Sequence, residues 1–385
     1  MKLLHLGDLH IGKSVNDYSM IEDQRHILDQ ILDIGVEREV DGILIAGDVF
    51  DKSIPSEEAV RVFDRFLCQL AERGMKAFII SGNHDSDERL HFGSGLFASH
   101  GIYIASKYEG VLSKQTILDE HGPLHIYLLP FVKASQVQHF FPDQEIDSYD
   151  KAVRTVIGHA NLDESQRNIL VAHQFVAGRS GEVELAGSEN GAVQHVGAVE
   201  KIGADCFDAF DYVALGHIHS PQRVAGDRVR YSGSPLKYSL SEISNEKSVP
   251  VVTFGKKGEV SVELVPLRPL RDMRHIKGKM EQLLQREHIL SPEDYVYVTL
   301  TDETPISDAM AIIRQHYPNA MKVDYDNSRT REREDFDGAR SAREKSFREL
   351  ISDFYQMMYG REISGEEAEI MMEVAGEAGV ADETH

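Results

Sequence analysis

Five short apolar segments of this chain run directly into residues that bind metal ions. Apolar runs of this length are typical of buried strands in a parallel sheet. In an open α/β sheet, ligands gather beyond the carboxyl ends of the strands, so these side chains are expected to meet at one edge. The segments and the residues that follow them are 3–6 with Asp8 and His10, 42–46 with Asp48, 77–80 with Asn83 and His84, 169–172 with His173, and 212–215 with His217 and His219.

The donor atoms at these strand ends describe a site for two metal ions and a phosphate ester. Two ions about 3.5–4 Å apart stabilise the attacking and the leaving oxygen of a phosphodiester together. They need a shared anionic ligand, and Asp48 is the central candidate. A mixture of carboxylate, amide and imidazole donors suits Mn²⁺, Fe²⁺ or Zn²⁺, whereas Mg²⁺ alone does not favour so many imidazoles. Most of the ligands follow a glycine that is expected to make a sharp turn: Gly7, Gly47, Gly82 and Gly216.

His84 directly follows Asn83 and is therefore expected at the edge of the site. As a catalytic residue it protonates the leaving oxygen or orients the phosphate, a role worth about 10²–10⁴ in rate. The alternative is that His84 is a further metal ligand. In the catalytic role, the neighbouring Asp85 is expected to hold the other ring nitrogen of His84.

The pattern of strands and helices predicts the fold class. From residue 1 to about residue 240, apolar strands alternate with segments whose apolar residues recur at helical spacing. Such alternation predicts an α/β fold in which central β-sheets are flanked by helices. Residues 223–230 predict a hairpin, and 249–254 with 260–265 predict a second strand pair. The Gly-rich stretch 176–203 is either a tolerant surface loop or a loop that contacts the substrate.

The length of 385 residues suggests two or three domains. Towards the end of the chain, an apolar helical stripe over 347–358 is followed by a helix that opens on a capping box of Ser364 and Glu367. These two helices either dock back onto this chain or form a hairpin that binds a partner. The predicted boundaries are 1–265 for the first domain, 266–327 for a small α/β domain, 328–340 for a linker, 341–376 for the helical segment and 377–385 for an acidic tail.

Composition narrows the range of partners and compartments. The net charge of −23 argues against a chain that holds nucleic acid through its own surface alone, so metal ions or a partner must supply positive charge. No apolar run approaches the roughly 18 residues that a membrane span needs. The two cysteines, Cys68 and Cys206, indicate no disulfide framework and a cytoplasmic location.

Five motifs carry a resemblance to a known family. They are Leu-Gly-Asp-Leu-His at 6–10, Ala-Gly-Asp-Val-Phe-Asp at 46–51, Ser-Gly-Asn-His-Asp at 81–85, Ala-Leu-Gly-His-Ile-His at 214–219 and Tyr-Ser-Gly-Ser-Pro at 231–235. Together they resemble the calcineurin-like metallophosphoesterase superfamily and, within it, the SbcD family, the nuclease subunits of bacterial SbcCD complexes. Residues 266–271 and the α/β segment that follows resemble the capping domain of that family.

The resemblance implies a role for each site residue. His84 takes the catalytic role. Asp51 stands where archaeal and eukaryotic relatives carry a second active-site histidine, which argues against a two-histidine mechanism. Asp51 and Asp85 are expected to support the ligands without binding the ions. One ion is held by Asp8, His10, Asp48 and His219, and the other by Asp48, Asn83, His173 and His217.

The resemblance also implies a function and partners. The chain is expected to be a DNA phosphodiesterase that uses two divalent ions, Mn²⁺ above all. It would be the nuclease subunit of an ATP-dependent double-strand exonuclease and single-strand endonuclease that cuts hairpins and blocked DNA ends in recombination and repair. ATP would bind the partner ATPase subunit, SbcC, because no Gly-x-x-x-x-Gly-Lys-Ser/Thr loop occurs in this sequence. The C-terminal helices would hold SbcC, and this subunit would act as a homodimer within a heterotetramer.

Two other functions are compatible with the sequence. The chain could be a stand-alone phosphomonoesterase or cyclic-nucleotide phosphodiesterase of the same superfamily, or a scaffold that binds no metal. The small second domain and the helical tail favour the DNA enzyme, since an enzyme acting on small molecules has no need of them. The intact set of ligands argues against a scaffold.

Overall fold

The computed structural model describes residues 1–178, 201–285, 289–328, 330, 355, 363–365, 367, 368, 370 and 371. The chain divides into two compact units. The larger contains Met1–Ile276, Arg286–Val298 and Met310–Val323, and the smaller contains Lys277–Gln285, Thr299–Ala309 and Asp324–His385. The domain boundaries that the sequence suggested stay predictions.

Two of the described α-helices begin at a serine whose hydroxyl accepts a hydrogen bond from one of the first backbone amides. The hydroxyl of Ser56, for example, accepts a hydrogen bond of 3.2 Å from the amide of Ala59 at the start of the second helix. Two short 3₁₀ helices cover Ala204–Phe207 and Leu240–Glu242. The α-helices in the described part of the chain are α1 (Ile21–Glu37), α2 (Glu57–Glu72), α3 (Asp87–His91), α4 (Ser94–Ala98), α5 (Ala134–Phe140), α6 (Tyr149–Gly158), α7 (Met280–Leu283) and α8 (Ala309–Arg314).

The strands are short, and the central ones are buried on both faces, as expected for sheets covered on both sides. In chain order they are β1 (Lys2–Leu6), β2 (Ser14–Val15), β3 (Tyr18–Ser19), β4 (Gly42–Ala46), β5 (Lys76–Ile80), β6 (Ile102–Ala105), β7 (Ser113–Asp119), β8 (Gly122–Leu129), β9 (Arg167–His173), β10 (Val176–Ala177), β11 (Ile202–Gly203), β12 (Tyr212–Gly216), β13 (Gln222–Ala225), β14 (Val229–Tyr231), β15 (Ser248–Phe254), β16 (Val260–Pro266), β17 (Met273–Gly278), β18 (Tyr295–Leu300) and β19 (Ala320–Tyr325).

Two six-stranded sheets form the centre of the larger unit. The first has the order β16-β15-β1-β4-β5-β6, and the second has the order β13-β14-β12-β9-β8-β7. Strands β1, β4, β5 and β6 run parallel, as do β8, β9, β12 and β14. Antiparallel pairs at the edges confirm the predicted hairpin (β13 with β14) and the predicted second strand pair (β15 with β16). Parallel neighbours place their carboxyl ends side by side, which is the condition for a site at one edge.

The two sheets pack face to face around one apolar core. Leu3 and Phe78 from the first sheet and Ile126 and Val171 from the second lie in this core and are almost completely buried. A second core lies between the first sheet and helices α1 and α2, and a third lies between the second sheet and helices α5 and α6. The layers are therefore helix, sheet, sheet and helix, which confirms the predicted α/β fold.

After residue 272 the chain alternates strands and helices, as expected for an α/β segment. Strands β17, β18 and β19 form a three-stranded sheet in that order. In the tail, the capping box is present: Ser364 Oγ accepts from the Glu367 amide (3.3 Å), and a Glu367 carboxylate oxygen accepts from the Ser364 amide (3.0 Å). Most of the predicted terminal helices, and residues 179–200 of the Gly-rich stretch, lie outside the described residues. Among the helices that are described, each is too short or too polar to span a bilayer.

Candidate metal centre

The loops that leave five strands converge at the carboxyl edge of the two sheets. Within the first sheet, the Asp8 amide donates to the Gly47 carbonyl (3.1 Å) and the His10 amide donates to the Asp48 carbonyl (2.9 Å). Between the two sheets, the His217 amide donates to a carboxylate oxygen of Asp8 (2.9 Å). These bonds fix the loops after β1, β4 and β12 against one another, so the strand ends meet as the sequence predicted.

The sharp turns at this edge are made by the ligand residues themselves. Positive φ angles occur at Asp8 (54°), His10 (44°), Asp48 (49°) and His217 (101°). Such angles cost a non-glycine residue on the order of 1–3 kcal/mol and persist where the surrounding structure over-determines them, commonly at functional sites. Of the four glycines expected to turn the chain, only Gly47 has a positive φ, at 80°.

The other glycines allow neighbouring loops to approach closely and do not turn the chain. A Cβ at Gly82 would collide with the Asp48 carboxylate, and a Cβ at Gly216 would collide with the Ala46 carbonyl oxygen. The expectation that these glycines make the turns is therefore wrong. They are needed because the Gly82 backbone packs against the Asp48 side chain and the Gly216 backbone packs against the backbone of Ala46, which leaves no room for a methyl group.

The first ligand group consists of Asp8, His10 and His219, which are all buried. Their ligand atoms lie within 4.8 Å of one another, and the Nε2 atoms of His10 and His219 are 3.1 Å apart. Donor atoms that share one ion at about 2 Å lie roughly 3 Å from each other, so this spacing fits a single divalent cation.

The second ligand group consists of Asn83, His173 and His217. The Asn83 carboxamide oxygen lies 3.1 Å from His173 Nε2 and 3.0 Å from His217 Nδ1. Asp8 and Asp48 each offer an oxygen within 4.8 Å of a His173 nitrogen. Asn83 is exposed while His173 is fully buried, so this group lies at the mouth of the site.

Asp48 lies between the two ligand groups. Its Oδ2 atom is 3.6 Å from His10 Nε2 in the first group and 3.4 Å from His173 Nε2 in the second. Burial acts to raise the pKa of Asp48, but the neighbouring His173 and His10 hold it well below its usual range. The carboxylate is therefore ionised and lies between the two groups of candidate ligands.

The histidine tautomers suit metal binding. His173 Nδ1 lies 2.7 Å from the Ala46 carbonyl oxygen, which can only accept, so Nδ1 carries a proton. Burial acts to lower the pKa of His173, but Asp48 raises it to about 9, so a cation that binds Nε2 would take the place of a second proton. Burial, followed by the charge of His173, lowers the pKa of His217 to about 3. Burial also holds the pKa of His10 well below its usual range. Both rings are neutral at pH 7, which is the form that binds metal ions.

His84 is exposed at the mouth of the site, apart from both ligand groups. Its amide donates to Asp48 Oδ1 (2.9 Å), and its Nδ1 lies 3.1 Å from the carbonyl oxygen of Asp51. Its ring meets that of His10 edge to face, with centroids 4.9 Å apart. The expectation that Asp85 holds the His84 ring is wrong, because Asp51 makes that contact through its backbone.

The carboxylates of Asp85 and Asp51 have other contacts. Asp85 accepts hydrogen bonds of 2.9–3.0 Å from the amides of Val49, Phe50 and Gly82, and so joins the loops after β4 and β5. The Asp51 carboxylate accepts from Lys13 Nζ (2.7 Å) and lies 3.6 Å from His10 Nδ1.

Sequence reasoning missed a buried cluster behind His219. Glu242 is fully buried, and its Oε1 lies 3.4 Å from His219 Nδ1. Lys247 Nζ donates to the other Glu242 oxygen (2.6 Å), to the His219 carbonyl (2.9 Å) and to Ser234 Oγ (2.9 Å). Ser234 falls in a recognised motif, but Glu242 and Lys247 are five residues apart in a polar stretch and look like a surface pair. By contrast, the buried His5 is a structural residue, since its ring nitrogens lie 2.9 Å from the Tyr212 hydroxyl and 3.1 Å from the Leu215 carbonyl oxygen.

Comparisons with known proteins agree with this geometry. Residues 1–221 match the family described as calcineurin-like phosphoesterase, and residues 269–359 match the family described as Type 5 capsule protein repressor C-terminal domain. The SbcD subunit of the nuclease SbcCD from Staphylococcus saprophyticus is 33% identical to this chain over 327 residues, which cover 84% of each protein.

A comparison of folds gave a slighter likeness. The crystal structure of TT1561 of Thermus thermophilus aligns with a TM-score of 0.36 at 11% identity, over 68% of this chain and 98% of that chain. This likeness is too small to support a conclusion about fold or function.

Proposed function

Because this chain belongs to the calcineurin-like phosphoesterases and, within them, to the SbcD family of nucleases, we propose that it cuts DNA within an ATP-dependent complex. It is a metal-dependent nuclease that hydrolyses phosphodiester bonds. The proposed activities are double-strand exonuclease and single-strand endonuclease cleavage of hairpins and blocked ends in recombination and repair. The alternative of a stand-alone phosphatase is not favoured by the family match.

The position of Asp48 is the observation that carries the proposal. Its Oδ2 atom lies within 3.6 Å of one imidazole from each ligand group, so two cations held by the groups would share it. Two ions bridged in this way are suited to phosphodiester hydrolysis. We assign one ion to Asp8, His10, Asp48 and His219, and the other to Asp48, Asn83, His173 and His217.

A side chain of this protein supplies the proton for the leaving oxygen. When bound, the two ions provide positive charge for the attacking and the leaving oxygen. The Asp51 carbonyl accepts the Nδ1–H of His84 at 3.1 Å, so His84 Nε2 is the atom that donates a proton to the leaving oxygen. The exposed position of His84 lets a polymer substrate reach it.

Mn²⁺ is the proposed metal. Four imidazoles (His10, His173, His217 and His219) stand with two carboxylates and one amide, and no thiolate is among them. Borderline divalent ions accept such a mixture, whereas Mg²⁺ prefers oxygen ligands and water. We also propose a cytoplasmic location, in keeping with the free thiols of Cys68 and Cys206.

The proposed partner is the ATPase subunit SbcC, with this chain as a homodimer in a heterotetramer. The net charge of −23 makes a partner that shares the DNA contact physically reasonable. The contact is assigned to the C-terminal helices.

Removal of all residues after Arg340 should abolish co-purification with SbcC and ATP-dependent cleavage, while Mn²⁺-dependent cleavage of single-stranded DNA persists. Truncated protein that still binds SbcC would assign the contact elsewhere.

End-labelled hairpin DNA tests the function directly. The purified chain is incubated with the hairpin and Mn²⁺, with and without SbcC and ATP. We expect metal-dependent opening of the loop by the chain alone and ATP-dependent degradation of the duplex with SbcC. Rapid hydrolysis of p-nitrophenyl phosphate by protein that leaves all DNA intact would favour the phosphatase instead.

A further inference from the structure

A cavity opens beside the second ligand group. It has a volume of about 260 Å³, and Asn83 and His217 form the wall that faces the metal centre. The remaining lining comes from the loop after β8, the start of α6 and the loop after β9. A cavity of this size is slightly below the roughly 300–1,000 Å³ of sites for whole drug-sized ligands, so it suits one planar ring system.

Aromatic rings supply much of this lining. The rings of Phe131 and Tyr149 have centroids 6.1 Å apart, and all three aromatic residues, with Phe175, are only partly buried. Phe175 also contacts the His217 ring, with centroids 6.4 Å apart. Partly exposed rings beside a cavity provide flat apolar faces on which another ring can stack.

A residue with a buried acceptor lines the same cavity. Gln174 lines it and is 1% exposed, and its amide nitrogen donates to the Val132 carbonyl (3.4 Å). Its carboxamide oxygen meets no hydrogen-bond donor among the residues that the structure describes. A buried acceptor without a donor is costly, so a donor from a bound molecule would remove a defect of the protein alone.

Lys133 lines the same cavity and is exposed. Its ammonium group can neutralise a phosphate that enters beside Asn83. The cavity therefore combines a cation, aromatic faces and a buried acceptor, next to the place where a phosphodiester would be cut. These are the groups that recognise a nucleotide without regard to sequence.

We infer that this cavity binds one unpaired nucleobase of the DNA strand, next to the phosphodiester that is cut. The inference rests on the proposed nuclease function. The base would stack on Phe175 or on the Phe131–Tyr149 pair, and Gln174 would accept a hydrogen bond from its Watson–Crick edge. Each of the four bases carries an N–H donor on that edge, so the contact would not select a sequence. A paired base has that edge occupied, so the cavity would favour hairpin loops and single strands.

The test combines a substrate change with a protein change. End-labelled hairpin DNA is used, so that cleavage at each phosphodiester is read separately, and each loop nucleotide is replaced in turn by an abasic residue. In the natural chain, one abasic position should slow cleavage at its neighbouring phosphodiester about tenfold, the order expected for loss of one stacked base.

The protein change is Phe175→Ala. It should slow cleavage of the intact loop by a similar factor, and the abasic residue should then have no further effect, because both changes remove the same contact. Gln174→Met, which keeps the shape but removes the acceptor, should slow cleavage of the intact loop about three- to tenfold. Lys256→Ala, on the turn between β15 and β16, is the matched surface control and should behave as the natural chain.

The outcomes separate this inference from the proposed function. An abasic effect of equal size in the natural chain and in Phe175→Ala would place the base elsewhere and overturn the inference, while the nuclease function stood. A natural chain that cuts no DNA with Mn²⁺ would overturn both. If Phe175→Ala lowers the melting temperature and fails to fold, Phe175→Leu, which keeps apolar volume without a stacking face, takes its place with the same expectations.

Discussion

The two ligand groups are supported by different kinds of atoms. Behind the first group, His219 contacts the carboxylate of the fully buried Glu242, which is paired with Lys247. Behind the second group, His173 is held by a backbone carbonyl, that of Ala46. The first group is therefore tuned by side-chain charge, whereas the second depends on where strand β4 ends. Within one two-metal site, therefore, metal binding by one ligand group can be sensitive to substitution of nearby side chains, while metal binding by the other depends on the position of a strand end.

Substitution of Asp48 should affect metal binding by both ligand groups. Asp48→Asn is expected to reduce cleavage by about 10³-fold or more and to lose both ions, since the carboxylate is shared by both groups. Metal analysis of the purified variant checks this, with circular dichroism to show that it is folded. Asp29→Asn is the control, because Asp29 pairs with Arg65 on the surface of α1. Two bound equivalents in Asp48→Asn would contradict the sharing.

Substitution of His84 should slow cleavage without weakening metal binding by either ligand group. His84→Gln is expected to keep the metal content of the natural chain and to reduce the cleavage rate by about 10²–10⁴. Single-turnover cleavage of labelled DNA measures this loss. Cleavage within twofold of the natural rate would show that His84 is not the proton donor, and loss of one ion would show that it is a ligand.

Substitution of Glu242 should weaken metal binding by the first ligand group alone. Glu242→Gln is expected to weaken one of two Mn²⁺ binding steps by about 10–100-fold, as removal of a group behind a ligating histidine commonly does. It should also lower the free energy of unfolding by roughly 3–5 kcal/mol, because Lys247 stays buried without its carboxylate partner. Calorimetric Mn²⁺ titration and urea unfolding measure the two effects.

Two further variants sharpen the test of Glu242. The double variant Glu242→Gln/Lys247→Met should regain much of the stability but not the lost affinity. Glu263→Gln, which breaks an exposed pair with Arg38, should change neither quantity appreciably. Equal weakening of both Mn²⁺ steps in Glu242→Gln would remove the difference between the two groups.

The smallest expected effect is on the pH dependence of stability in the metal-free protein. Burial acts to raise the pKa of Glu242, but His219 and Lys247 lower it from 4.5 to about 2. A depressed carboxyl pKa adds stability that is complete above pH 4.5 and is lost as the pH falls towards 2. The difference in urea midpoint between the natural chain and Glu242→Gln should therefore shrink over that range. A difference that stays constant down to pH 3 would show that Glu242 is not held as a carboxylate.

The sequence was most informative where structure and chemistry are local. An apolar run and the ligands that follow it are neighbours in the chain, so Asp8, Asp48 and His173 could be predicted to meet once the runs were recognised as parallel strands. The layers of the fold followed from the same alternation. Contacts made by residues outside these strand-end motifs could not be predicted. Glu242 meets His219 only because the chain after β14 folds back under the site.

The errors of prediction have a related cause. Asp85 was expected to orient His84 because the two are adjacent, but its carboxylate turns towards three backbone amides. The turn assigned to Gly216 is made by His217 instead, and both Gly82 and Gly216 are used for close packing. In each case the residue was identified correctly and its contact was not, because sequence spacing fixes neither the direction of a side chain nor the local conformation of the backbone.

Electron paramagnetic resonance of the Mn²⁺-loaded protein tests the shared carboxylate most directly. Two Mn²⁺ ions bridged by one carboxylate interact magnetically, so the spectrum at two equivalents should differ from the sum of two isolated ions. The coupled signal should persist in His84→Gln and vanish in Asp48→Asn. A spectrum of isolated Mn²⁺ in the natural chain at two bound equivalents would contradict a site in which both ligand groups share Asp48.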